Sequence, residues 1–185
     1  MTPPDEFRAF CSQLLVLLAM ESTRTLLLDK AAETAALSAG STRPVLKRMV
    51  LLSLSSPCLG LVHQAADFIP DVSVGLVNFP RPANSQHHEP RLHLVNAPAL
   101  AEARVIIFNP VVTTGALTGL ALDLLSGSGA KDVTLLCFLT SADGLGRILR
   151  THPSLNIWTS AVISEPDPRR NPFLGLSDFG KRLYG

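Results

Sequence analysis

Apolar and polar positions along the chain follow two periods in turn, and that alternation predicts an α/β protein. Residues 4–22 carry Leu14, Leu15, Leu17 and Leu18 on one broad apolar face, the spacing of a helix. Residues 45–54 read as a first central strand, stopped by Ser55-Ser56-Pro57. A helix over 59–68 ends at Pro70-Asp71, and 72–77 reads as a second strand. Residues 78–90, rich in Pro, Asn and His, form a loop or arm whose return strand is 92–96. Strand 105–108, helix 117–126, strand 133–139, helix 144–150 and strand 156–162 follow. Residues 25–37 stay open: Asp29 and the alanine-rich run suit either a helix or a strand. Buried strands alternating with helices predict a central, mainly parallel sheet flanked by helices, with ligands at the carboxyl ends of the strands.

A chain of 185 residues without repeats or a linker fits one domain with a proper core. It divides into an N-terminal helical part over 1–40, the arm over 78–96 and a C-terminal segment over 163–185. A hydrophobic share of 46% against 17% charged residues describes a compact, apolar protein. The net charge of +1, without runs of like charge, leaves no footprint for nucleic acid or an anionic membrane. The longest apolar run, 14–20, is too short to span a bilayer and follows no basic segment. Cys11, Cys58 and Cys137 are too far apart for a zinc or redox motif and sit in apolar surroundings, which predicts buried free thiols in a reducing, cytoplasmic compartment.

The segment from Arg104 to Thr118 carries the chemistry. Val105 to Phe108 predict a buried strand, Asn109-Pro110 breaks it, and Thr113, Thr114 and Gly115 lead into the next helix. A strand, a short Thr/Gly loop and a helix N-terminus form an anion cradle, because unpaired amides converge there and the helix dipole favours negative charge. No Gly-Lys-Ser/Thr or G-x-G-x-x-G pattern is present, which argues against nucleoside triphosphates and dinucleotides. A sugar 5′-phosphate fits better, with hydroxyls from Thr113, Thr114 or Thr118 and amides of Gly115, Ala116 and Leu117. An ordinary strand-to-helix turn with a good cap reads equally well from the motif alone.

Other conspicuous residues carry less. His87, His88, Glu89 and His93 lack the set of ligands a metal needs, since adjacent histidines in an extended loop point apart, so no metal site is expected. Ser55-Ser56 after a strand lacks the G-x-S-x-G elbow. Asp123 reads as a surface or partner-helix charge, Trp158 and Phe173 as packing, and residues 165–170 as a proline-stiffened surface loop.

Several segments in order resemble the uracil phosphoribosyltransferases. The family's phosphoribosyl-diphosphate (PRPP) signature, I-V-D-P-M-L-A-T-G-G-S, stands here as I-F-N-P-V-V-T-T-G-A-L over 107–117. The resemblance continues through A-D-G-L-G-R-I-L-R-T-H-P-S-L-N-I-W-T-S-A and the tail G-L-S-D-F-G-K-R-L-Y-G, and it begins in the first helix, which ends M-E-S-T-R. It implies a type I phosphoribosyltransferase-like fold with a C-terminal hood over 163–185, PRPP as substrate, Mg²⁺ accompanying it, no organic cofactor, and a homodimer. It further implies that Thr113, Thr114, Gly115, Ala116 and Leu117 hold phosphate, and that Pro172, Ser177, Asp178 and Phe179 lie at the nucleobase.

The chain departs from that family at its chemical positions. Asn109 stands where the family has an acid against the ribose hydroxyls, so the charge is lost. Ser56 stands where an arginine clamps pyrophosphate, so a bidentate contact is lost. The arm lacks the family's R-x-E-E-T, and neither Arg81 nor Arg91 is in register to replace it. Ser177 replaces a glycine, and Pro172 cannot donate a main-chain N–H to a base. Three readings follow: a weak phosphoribosyltransferase or one of altered base specificity, a catalytically inactive nucleotide- or phosphate-binding regulatory relative, and a structural subunit using the fold as a dimerisation surface. The expected partner in the first two is a small phosphorylated sugar or nucleotide.

Overall fold

The computed structural model describes residues 2–24, 48–69, 71–79, 90–94, 98–164 and 179–185. The ambiguous segment 25–37, most of the arm, and hood residues Pro172, Ser177 and Asp178 lie outside the described residues, as do His87, His88 and Glu89.

The strands are β1 (Met49–Ser53), β2 (Val72–Asn78), β3 (Arg91–Leu94), β4 (Arg104–Phe108), β5 (Val111–Val112), β6 (Asp132–Ser141) and β7 (Asn156–Ile163). The helices are α1 (Pro4–Thr23), α2 (Leu59–Ala66), α3 (Ala116–Gly127), α4 (Ala142–Thr151) and α5 (Phe179–Tyr184), and a 3-10 turn spans Ser56–Cys58. The strands form one sheet in which β1 lies between β2 and β4, and β6 between β4 and β7. Every pairing is parallel except β2 with β3. The chain leaves β1 toward β2 and leaves β4 in the opposite direction toward β6. Adjacent strands departing in opposite directions create a topological switch point, the crevice where open α/β sheets bind ligands.

The core explains why the central strands read as unbroken apolar runs. Leu51, Ile106, Phe108, Leu136 and Phe138 pack with α1, α2 and α5 on one face. Val50, Leu52, Val105, Ile107, Leu135 and Cys137 pack with α3 and α4 on the other. Both faces are covered, so apolar residues fill consecutive positions, with Ser53 at the end of β1 and Thr134, Thr140 and Ser141 on β6 as the buried polar exceptions.

Several elements differ from the sequence expectation. Asn109-Pro110 ends β4 at Phe108, as expected, but the chain resumes as the short strand β5 directly after it. The Pro110 carbonyl accepts from the amides of both Phe138 (3.0 Å) and Leu139 (3.2 Å), and β5 then pairs with β6 in the register β4 had set, Phe108 opposite Leu136 and Val111 opposite Leu139. Proline is tolerated between the two strands because that position supplies β6 with an acceptor and not an N–H. Helix α1 buries Cys11, Leu15, Ala19 and Ser22, so Leu17, expected on the apolar face, is 63% exposed with Phe10 and Met20 beside it. The tail, read only as a hood, ends in α5, whose Phe179 and Leu183 are buried against α1. All three cysteines are free and buried, as expected, and burial pushes each thiol up to about 11.

Candidate functional site

Two loops leave the carboxyl ends of the paired strands β1 and β4, where Ser53 lies opposite Phe108. The first is the Ser56–Cys58 turn. The buried Ser53 hydroxyl donates to the Ser55 carbonyl (2.7 Å) and accepts from the Ser55 amide (3.3 Å), which folds the chain over at the strand end. The Leu54 amide reaches the Phe108 carbonyl (3.0 Å), tying this turn to the start of the second loop. The Tyr184 hydroxyl donates to the Pro57 carbonyl (2.9 Å), so α5 braces the turn from outside. Ser56 is exposed at its apex, whereas Cys58 is buried, and its raised pKa keeps it a neutral thiol rather than a nucleophile.

The second loop runs from Asn109 to Gly115. The Asn109 amide group Nδ2 donates to Thr118 Oγ1 (3.1 Å), fastening the loop's start to the first turn of α3. Thr118 is buried, so this contact is shielded from water. Gly115 caps α3 with φ +72°, a left-handed conformation that costs other residues strain. No side chain caps the helix from that position, and the only loop hydroxyl at its amides is Thr114 Oγ1, a long 3.4 Å from the Ala116 N–H. Thr113, Thr114 and Ala116 are exposed, and Leu117 is 53% exposed instead of folding over the loop. The result is the open, uncapped helix N-terminus that an anion cradle needs.

Underneath, the loop rests on the first turn of α4. Ser141 caps that helix, accepting from the Gly144 amide (2.8 Å), and its hydroxyl donates to the Thr113 carbonyl. A Cβ on Gly144 would collide with that same carbonyl, and one on Gly115 would lie 2.7 Å from the Gly144 oxygen. Neither Ser141 nor Gly144 stood out in the sequence; a serine before a helix is a cap signal, but nothing local says what it supports.

The structure thus brings Ser56, Asn109 and Thr113–Leu117 to one end of the switch point. Phe179 instead packs its ring among Phe7 (5.4 Å between centroids) and Phe138 (6.1 Å), so the contact it could offer a base is through its main chain. His93 is exposed on β3, and Asp123, 72% exposed, approaches His152 at 3.4 Å on the outer side of α3. Among the described residues no group of three or more His, Cys, Asp or Glu could hold a metal ion. The described helices include none long and apolar enough to cross a membrane.

The sheet order, the switch point and the Thr/Gly loop entering α3 define a type I phosphoribosyltransferase fold. The chain belongs to the uracil phosphoribosyltransferase family, whose model matches residues 1–185. It is 27% identical to the uracil phosphoribosyltransferase of Thermus thermophilus, over 100% of this chain and 88% of that one. It is 28% identical to that of Clostridium kluyveri, with the same coverage. Among solved structures, the AQ2163 protein from Aquifex aeolicus superposes with a TM-score of 0.58 at 23% identity. That superposition takes in 74% of this chain and 64% of the other, less than two thirds of its length, and supports the fold alone.

Proposed function

We propose that this protein transfers ribose 5-phosphate from PRPP to a nucleobase, releasing pyrophosphate, with feeble turnover of uracil and an altered base preference. The observation that carries this reading is the uncapped α3 N-terminus beside the Ser56 turn at one switch point. In this arrangement the amides of Thr114 to Leu117 hold the 5′-phosphate, and the Ser56 turn receives the pyrophosphate. Because Asn109 Nδ2 is committed to Thr118, its Oδ1 faces the ribose as a neutral acceptor.

Neutrality limits the rate. As the bond to pyrophosphate stretches, positive charge grows on the sugar, and removing one preorganised charge from such a site costs about 10²–10³ in rate. A serine hydroxyl at position 56 also gives pyrophosphate no bidentate, charged partner. Mg²⁺ would accompany PRPP and offset the charge of its diphosphate. The protein would work as a cytoplasmic homodimer.

Assays with PRPP and a panel of pyrimidine and purine bases test this, with turnover of uracil expected to be slow or undetectable and another base preferred. Robust uracil turnover at ordinary enzyme concentrations would refute the weak-enzyme reading. The neutral Asn109 and unarmed Ser56 equally favour a second reading, a catalytically inactive regulatory relative that binds a nucleotide. Saturable nucleoside monophosphate binding without turnover of any base would select it.

A further inference from the structure

We propose that Ser141 is a positioning residue that aims the Thr114 N–H into the anion cradle, a role that rests on the phosphate reading above. The peptide between Thr113 and Thr114 is trans, as all described peptide bonds are. In a planar trans peptide the carbonyl and the following N–H point in opposite directions. The Thr113 carbonyl is drawn down onto α4 by the Ser141 hydroxyl, so the Thr114 N–H faces away from α4, toward the open side of the loop.

Three observations make this orientation specific. The Ser141 oxygen already accepts from the Gly144 amide (2.8 Å), and a hydroxyl has one proton, which goes to Thr113. Ser141 is 8% exposed, so water is a poor substitute partner for that carbonyl. The two glycines, Gly115 and Gly144, let the loop backbone sit directly on the first turn of α4, which closes that side to a ligand and leaves the exposed Thr113 and Thr114 side as the way in. Without the Ser141 hydroxyl, the peptide is free to turn over. The Thr113 oxygen would then face an incoming phosphate with its partial negative charge, and one amide donor would be lost.

The test is an NMR titration of the ¹⁵N-labelled full chain with inorganic phosphate. In wild type, the Thr114, Gly115 and Ala116 amide resonances should shift together and saturate at one concentration. Ser141→Ala should weaken phosphate binding about tenfold, the equivalent of one hydrogen bond, and abolish the Thr114 shift selectively while that of Ala116 persists. Ser141→Thr, which keeps the hydroxyl, should restore both. A Thr114 response unchanged in Ser141→Ala overturns the positioning role and leaves the phosphate reading standing. A wild type in which no loop amide responds overturns both. Should loss of the helix cap prevent Ser141→Ala from folding, wild type alone decides, because shifts at Gly115 and Ala116 without one at Thr114 contradict the proposed orientation.

Discussion

At Asn109 the difference between an amide and a carboxylate sets what the loop can do for positive charge on a sugar. The side chain is already anchored to Thr118, so an aspartate would enter a prepared position and could accept from the same hydroxyl. Asn109→Asp combined with Ser56→Arg should therefore bind PRPP at least tenfold more tightly than wild type by calorimetry, with the gain shrinking at high salt. Equal, negligible binding by both proteins would mean that the crevice no longer admits PRPP. At Gly115, by contrast, nothing larger is tolerated. Its φ of +72° and the Gly144 oxygen 2.7 Å from a would-be Cβ predict that Gly115→Ala costs about 2–3 kcal/mol in urea unfolding. The residues from Asn109 to Leu117 were legible in the sequence because they are contiguous and change type where a strand gives way to a helix. Ser141 was not, because its partner Thr113 is 28 positions away and becomes a neighbour only when β6 pairs with β5.

Among the elements, α1 shows why a helix can be read correctly and its buried side misread. Leu14 to Leu18 form an uninterrupted apolar run, which fits several helical faces and selects none. The choice is made by small residues: Cys11, Ala19 and Ser22 let the helix lie close against α2 and α5, and that places Leu15 inward and Leu17 outward. Leu15→Ala should cost about 2–5 kcal/mol in chemical denaturation, whereas Leu17→Ala should change stability by less than about 0.5 kcal/mol. Comparable losses would show that Leu17 is covered in solution. The short strand β5 was hidden for a related reason. Asn109-Pro110 does break β4, and only the neighbouring strand reveals that the chain resumes pairing after it, with Pro110 as a double acceptor.

For the whole molecule, the three buried thiols make stability depend on alkaline pH. Burial raises each from its ordinary value of 9.0 to about 11, so the folded state holds protons that the unfolded chain releases. Their contribution is intact below pH 9 and declines as pH rises from about 9 to 11, by up to about 1 kcal/mol per thiol per pH unit. Thermal melts across this range should show the decline, and Cys137→Ala should make it shallower. The sheet order was readable from alternating strands and helices, but the meeting of the first and last helices was not, since no local pattern encodes a contact between such distant segments. Arg8 donates to the Leu183 carbonyl (2.7 Å) across 175 positions, and Phe7 meets the ring of Phe179. During synthesis on the ribosome, the inner side of α1 therefore waits for α5 through nearly every later strand, leaving Phe7 open to chaperones and to wrong partners. The Pro57 turn waits too, since its Tyr184 brace emerges only after residue 183, so the crevice is among the last parts of the nascent chain to mature.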